Sequence, residues 1–279
     1  MDTISETQIA GGTQGVYRHR SAVTGTDMTF ALFMPPGADG ERFPVLWYLS
    51  GLTCTHANVM EKGKYQEACA QAGVILVAPD TSPRGDGVPD DPAWDFGQGA
   101  GFYVDATEEP WREHFRMKAY VEEELPALIT GQIACADMQR QSITGHSMGG
   151  HGALTVALRN PQRFRSVSAI APIASPTRVP WGEKALTGYL GIDREAWTAY
   201  DATLLIREGA TLDELLVDQG AEDEFLAEQL KPELLEAACR DAGIPLTLNR
   251  HPGMGHGYDF VSSVLSDHVA WHAERLKRD

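Results

Sequence analysis

Gly145-His146-Ser147-Met148-Gly149-Gly150-His151-Gly152 stands between a short β-branched run and an apolar helical one. Gln141 to Thr144 reads as a strand, and Ala153-Leu154-Thr155-Val156-Ala157-Leu158 as the buried helix behind it. In a G-x-S-x-G sequence the serine occupies a cramped strand-to-helix turn, and the flanking glycines leave room where a Cβ would clash. Strand, turn and helix in that order make Ser147 a candidate nucleophile on an elbow. A bare G-x-S-x-G is also common by chance, so the reading rests on its neighbours.

An elbow serine needs a base and an acid, which follow it in the order carboxylate, then histidine. Of the nine histidines, His256 is the candidate base: Pro245 to Leu248 reads as a strand, and Pro252-Gly253-Met254-Gly255-His256-Gly257 as the loop leaving it. Open α/β sheets place their chemistry on such loops. The alternative for His256 is a water-exposed turn residue. His146 fills the variable position of the elbow, and His151 lies on the following helix. His268 and His272, four apart near the C-terminus, read as a solvated helix face rather than half of a metal site. For the acid, Leu215-Leu216-Val217-Asp218-Gln219-Gly220-Ala221-Glu222-Asp223 offers two aspartates after an apolar strand, and by pattern alone Asp218 and Asp223 are equal candidates.

Strand-like and helix-like apolar runs alternate along the chain, the pattern of a mostly parallel central sheet flanked by helices in one domain over residues 1–279. Residues 14–34 read as an antiparallel hairpin, Val45 to Leu49 and Val74 to Ala78 as buried strands, and Lys64 to Ala72 as a helix. A helix is predicted over 113–130 with Pro126 bending or breaking it, a strand from Ser166 to Ala171, and a last helix from Phe260 to Lys277. Residues 80–110 carry many Gly, Pro and Asp without a helical period, and so long an irregular stretch is usually functional. Residues 172–211 are expected to be an irregular excursion that covers the active site.

With 23 basic against 39 acidic residues the net charge is −16, which argues against nucleic acid and anionic membranes as partners. Neither a signal peptide nor a membrane-spanning run is evident, so a cytoplasmic location is expected. Four dispersed cysteines without a C-x-x-C pair predict free thiols and no zinc site.

Five blocks carry a resemblance across nearly the whole chain: Gly145 to Leu154, Tyr48-Leu-Ser-Gly-Leu-Thr-Cys-Thr55, Trp94-Asp-Phe-Gly-Gln-Gly-Ala-Gly-Phe-Tyr-Val-Asp-Ala-Thr107, Pro180-Trp-Gly-Glu-Lys-Ala-Leu-Thr-Gly-Tyr-Leu-Gly191 and Asp218-Gln-Gly-Ala-Glu-Asp-Glu-Phe-Leu226. They resemble the S-formylglutathione hydrolases of the esterase D family. The resemblance implies an α/β-hydrolase fold, hydrolysis of S-formylglutathione to glutathione and formate in formaldehyde detoxification, and a homodimer. It also implies Ser147 as nucleophile, His256 as base and Asp223 rather than Asp218 as the acid. The backbone amides of Met148 and Leu52 would form the oxyanion hole. No metal or organic cofactor is called for, and the partner is a small-molecule substrate. Trp181 and Lys184 are candidate substrate contacts. Cys54, beside the oxyanion loop, reads either as a small buried residue or as a redox-sensitive position at the site.

The chain departs from the family where His-Ser-Tyr-Tyr-Phe is replaced by His256-Gly257-Tyr258-Asp259-Phe260. Acyl or leaving-group preference is the property such changes would alter. The alternatives are a broad short-chain carboxylesterase or acyltransferase on the same fold, and a non-enzymatic scaffold, against which the complete Ser147, Asp223 and His256 set argues.

Overall fold

The structure, a computed structural model, describes residues 1–37 and 40–278. Among the described residues nine strands form one sheet: β1 Asp2–Ile9, β2 Gly12–Arg20, β3 Asp27–Met34, β4 Phe43–Leu49, β5 Ile75–Pro79, β6 Ala136–Gly145, β7 Phe164–Ile170, β8 Leu215–Gly220 and β9 Leu246–His251. Their order is β1-β2-β3-β5-β4-β6-β7-β8-β9. The first three pair antiparallel, β3 pairs antiparallel with β5, and from β5 to β9 every neighbouring pair is parallel. Strands β4 and β5 are buried at every position, as expected of central strands covered on both faces by helices. This is the α/β-hydrolase arrangement, and the parallel strands present their carboxyl ends together.

The strand β1 was not apparent in the sequence, because all eight of its residues are exposed and no buried face imposes an alternation. Its turn into β2 runs through Ala10 and Gly11 at φ 51° and 76°, the paired left-handed conformations of a tight hairpin.

Three expectations are corrected. Residues 172–211 are largely helical, over Pro180–Leu190, Arg194–Trp197 and Ala202–Arg207. Asp193 and Asp201 cap the second and third of these by accepting from Glu195 N and from Thr203 N and Leu204 N. Residues 113–130 hold an interrupted helix: Met117–Ala119, a wide π-type turn over Tyr120–Glu124, then Leu125–Gln132. Pro126 has no N–H to donate backwards, and a wide turn ahead of it relieves the clash of its ring with the preceding carbonyl. His268 and His272 do not face solvent. They are wholly buried on the stripe of the C-terminal helix Tyr258–Leu276 that also holds Phe260, Val261, Val264, Leu265 and Val269. Each large apolar side chain on that stripe contributes about 1.5–3 kcal/mol by leaving water.

Candidate active site

Ser147 stands at φ 59°, ψ −119° between the end of β6 and the helix Met148–Arg159. Left-handed backbone at a non-glycine residue costs about 1–3 kcal/mol, and it persists here because its neighbours hold it. His146 N donates to Leu49 O (3.0 Å), Ser147 N to Ile170 O (2.9 Å) and Gly149 N to His146 O (2.7 Å), stitching the turn to the ends of β4 and β7. A Cβ on Gly145 would stand 2.2 Å from Gly149 O, and one on Gly149 would stand 1.9 Å from Leu49 O. Backbone against backbone leaves nothing to move aside, so both positions demand glycine.

The carboxyl ends of two further strands bring the remaining groups together. The loop after β8 carries Asp223, and the loop after β9 carries His256. His256 Nε2 lies 2.9 Å from Ser147 Oγ, and His256 Nδ1 lies 2.6 Å from Asp223 Oδ2. The carboxylate of Asp223 is shut off from solvent and accepts further hydrogen bonds from Phe225 N (2.9 Å) and Gln219 Nε2 (3.2 Å). A carboxylate beside Nδ1 fixes the proton there, which leaves Nε2 free to accept from the serine hydroxyl.

Asp218 is elsewhere. It lies within β8, two residues before the strand ends, and accepts from His268 Nε2 (2.7 Å) and His251 Nε2 (2.9 Å). Burial alone would raise its carboxyl, but the hydrogen bond and charge interaction with His268, and after them the hydrogen bond from His251, prevail and pull it down to about 2. The same buried network contains a second serine–histidine contact, Ser166 Oγ to His272 Nδ1 at 2.7 Å. His272 bonds on through Ser168 to His268. Ser166 lies within strand β7 with an ordinary strand backbone and its partner His272 is wholly buried, so this set braces the sheet. His151 is likewise internal, its Nε2 3.0 Å from Phe102 O, and burial lowers it to about 4.

The loop after β4 lies against Ser147, for a Cβ on Gly51 would stand 3.1 Å from Ser147 Cβ. Thr53 N donates to Gly99 O (2.9 Å) and Cys54 N to Gly51 O (3.2 Å). Among the described residues, neither Leu52 N nor Met148 N makes a backbone hydrogen bond outside the helices and strands. Residues 80–110 buttress this loop without regular structure of their own. Thr81 Oγ1 and Arg84 Nη2 donate to Cys54 O (2.5 and 3.0 Å), Asp80 holds the Arg84 guanidinium, and Tyr103 OH donates to Ser50 O (2.8 Å).

A cavity of about 200 Å³ opens on this constellation, lined by Gly51, Leu52, Thr53, Cys54, Trp94, His146, Ser147, Trp181, Phe225 and His256. Trp94, Trp181 and Phe225 form its aromatic wall, with Trp94 edge-on to Trp181 at 5.5 Å and Phe225 edge-on to His256 at 5.0 Å. A wider surface depression of about 420 Å³ beside Ile206 and Ala238 holds no serine, histidine or cysteine. Lys184 is not among the cavity-lining residues: its ammonium is paired with Asp95 and lies 6.0 Å from the Phe96 ring. Gly257 and Asp259 are exposed and do not line the cavity either. Cys54 lines it but is mostly buried, and burial pushes its thiol up. A thiol alkylator is therefore expected to inactivate the protein slowly, and Cys54→Ser to retain activity and resist. Equal inactivation rates for the two proteins would show that modification elsewhere is responsible.

Sequence reasoning missed Phe225 and Trp94 as parts of this wall; Trp94, 54 % exposed, is a large aromatic left uncovered beside a cavity. The Esterase family model matches residues 21–275. The chain belongs to the esterase family. It is 54 % identical to an S-formylglutathione hydrolase of Paracoccus denitrificans over 275 residues, covering 99 % of this chain and 98 % of that one. It is 48 % identical to the S-formylglutathione hydrolase of Mus musculus, with 98 % of each chain covered. The solved structure of an S-formylglutathione hydrolase from Agrobacterium tumefaciens superposes with a TM-score of 0.97 at 55 % identity, covering 99 % of this chain and 100 % of that one. A ferulic acid esterase at 19 % identity, with a TM-score of 0.73 over 95 % of this chain and 98 % of that one, shares the fold alone. No helix among the described residues is long and apolar enough to cross a membrane.

Proposed function

We propose that this esterase hydrolyses S-formylglutathione to glutathione and formate through an acyl-enzyme on Ser147. The observation that carries the reading is the continuous relay from Asp223 Oδ2 through His256 to Ser147 Oγ, 2.6 and 2.9 Å long, at the floor of a small aromatic cavity. A hydroxyl is a weak nucleophile, so His256 Nε2 takes the Ser147 proton as Oγ attacks the thioester carbonyl. Negative charge moves onto the carbonyl oxygen, where the Leu52 and Met148 amides receive it; losing one such donor costs about 3 kcal/mol of barrier. Collapse of the adduct breaks the C–S bond, and the His256 imidazolium returns its proton to the departing thiol. Water then attacks the formyl ester, again with His256 as base, releasing formate and restoring the Ser147 hydroxyl. Asp223 stays ionised throughout and stabilises the imidazolium.

We also read residues 1–279 as one domain and, from the family resemblance, as a homodimer. All four cysteines carry free thiols, which suits a reducing cytoplasm.

The acyl group and the first atoms of the thiol carrier are expected to share the cavity of about 200 Å³ beside Ser147. Added methylenes in a tight apolar site cost on the order of 1–3 kcal/mol through overpacking. With glutathione as the common carrier, kcat/KM is expected to fall by roughly tenfold or more from formyl to acetyl, and again to butyryl. Kinetics on those three thioesters test this. A flat or rising series would mark a broad short-chain esterase instead. The departures at Gly257 and Asp259 lie outside the cavity, and acyl preference is expected to be the same with or without them.

A further inference from the structure

His146 occupies the variable position of the elbow, one residue before the nucleophile. Its side chain is nevertheless turned toward the base. His146 Nε2 lies 2.9 Å from the carbonyl oxygen of His256, and the two rings are 4.7 Å apart at 41°. On its other side the ring meets Tyr258 edge-on at 5.9 Å. A carbonyl oxygen can only accept, so Nε2 carries the proton and Nδ1 is a bare lone pair. That Nδ1 is buried with no hydrogen-bond partner among the described residues. An acceptor left unpaired away from water is a standing cost of about 1–3 kcal/mol, and it asks what the residue does in return.

Beyond the Asp223 contact to its ring, the main chain that carries the base is lightly held. The loop Pro252–Gly257 is tied at its start, where Gly253 N donates to Glu222 Oε1 (3.1 Å) and Met254 O accepts from Glu222 N (3.0 Å). Among the described residues, the contact from His146 is the one hydrogen bond made to the main chain of His256 itself. His146 is in turn fixed from both sides, by its own N–H on Leu49 O and by Gly149 N on its carbonyl. It therefore transfers the rigidity of the elbow to the loop that carries the base, across 110 residues of sequence.

We propose that His146 is a positioning residue: by donating from Nε2 to the His256 carbonyl, it holds the imidazole of His256 over Ser147 Oγ. The inference rests on the reading of Ser147 and His256 as nucleophile and base. Burial, and after it the charge of a protonated His256, hold His146 neutral, so it keeps its donor role when the base takes up a proton.

The test separates ring volume from the donated hydrogen bond. His146→Phe keeps an aromatic ring and loses the donor, whereas His146→Gln keeps an amide donor. At equal folded fraction by circular dichroism, the Phe variant is expected to lose ten- to a hundredfold in kcat on S-formylglutathione, with KM within about twofold. The Gln variant is expected to recover kcat to within about threefold of the parent. His146→Leu gives the same contrast if the Phe variant does not fold. A donor-less variant with kcat within twofold of the parent, a Gln variant as slow as the donor-less one, or a loss carried by KM would overturn the inference. His256→Ala is measured alongside: substantial activity there would instead overturn the reading of the site itself.

Discussion

Ser147→Ala is expected to lower kcat/KM on S-formylglutathione by roughly 10⁶-fold while leaving the protein folded. The magnitude is that of removing the nucleophile from a serine hydrolase whose triad acts as one unit, the remainder coming from the oxyanion amides and the cavity. Stability should barely change, because among the described residues the Ser147 hydroxyl has a single side-chain partner, His256 Nε2, and alanine leaves the strained backbone as it was. The comparison that gives the result force is Ser166→Ala, which removes the buried serine bonded to His272. That variant is expected to lose thermal stability and to keep its activity per folded molecule. A folded Ser147→Ala protein with more than about a tenth of the parent kcat/KM would change the barrier by less than ~1.4 kcal/mol, and the acyl-enzyme route would be untenable. An active-site burst with an activated ester gives a second readout: one equivalent for the parent and for Ser166→Ala, none for Ser147→Ala.

The elbow was legible in the sequence because its constraint is local: glycines at 145 and 149 are required by backbone oxygens within 3 Å of where a Cβ would stand. His256 was legible for a related reason, a glycine-rich loop directly after a strand. Asp218 and Asp223 could not be separated by pattern, because the apolar run stops at Val217 whereas β8 continues to Gly220. Those last positions carry polar side chains into the interior, Asp218 onto His268 and Gln219 onto Asp223, so polarity there marked neither the strand end nor solvent. The same effect hid His268 and His272. Each lies on the apolar stripe of Phe260, Val261, Val264, Leu265 and Val269, a 3.6-residue period that overrides the polarity of two imidazoles once buried partners satisfy their nitrogens. Residues 172–211 concealed three helices because their Trp, Gly and Pro content reads as loop, although Pro180 at a first helical position and Asp193 and Asp201 as caps are helix-start signals. Nothing local announced that Trp94 and Phe225 would meet Trp181 from distant segments.

The two aspartates make opposite demands on their variants. Asp223→Asn replaces an acceptor beside Nδ1 with an amide whose NH₂ favours the wrong imidazole tautomer, so kcat per folded molecule is expected to fall by roughly 10⁴. Asp218→Asn leaves the Ser147–His256–Asp223 geometry alone but withdraws the negative charge that accepts from a wholly buried His268. Breaking a buried pair from one side typically costs about 3–5 kcal/mol, so this variant should melt lower while each folded molecule keeps its kcat. The pH dependence of stability follows from the same carboxyl. Its folded value is depressed to about 2, so its contribution is full above the ordinary aspartate range and is lost as pH falls from there through about 2. The parent should therefore lose stability on acidification across that window more steeply than Asp218→Asn, which has no such proton to bind. Melting temperature and kcat per folded molecule, measured for both variants across pH, decide the assignment. A larger kcat loss at Asp218 than at Asp223 would move the acid of the relay from the loop into the strand, against the 2.6 Å contact that places Asp223 beside His256.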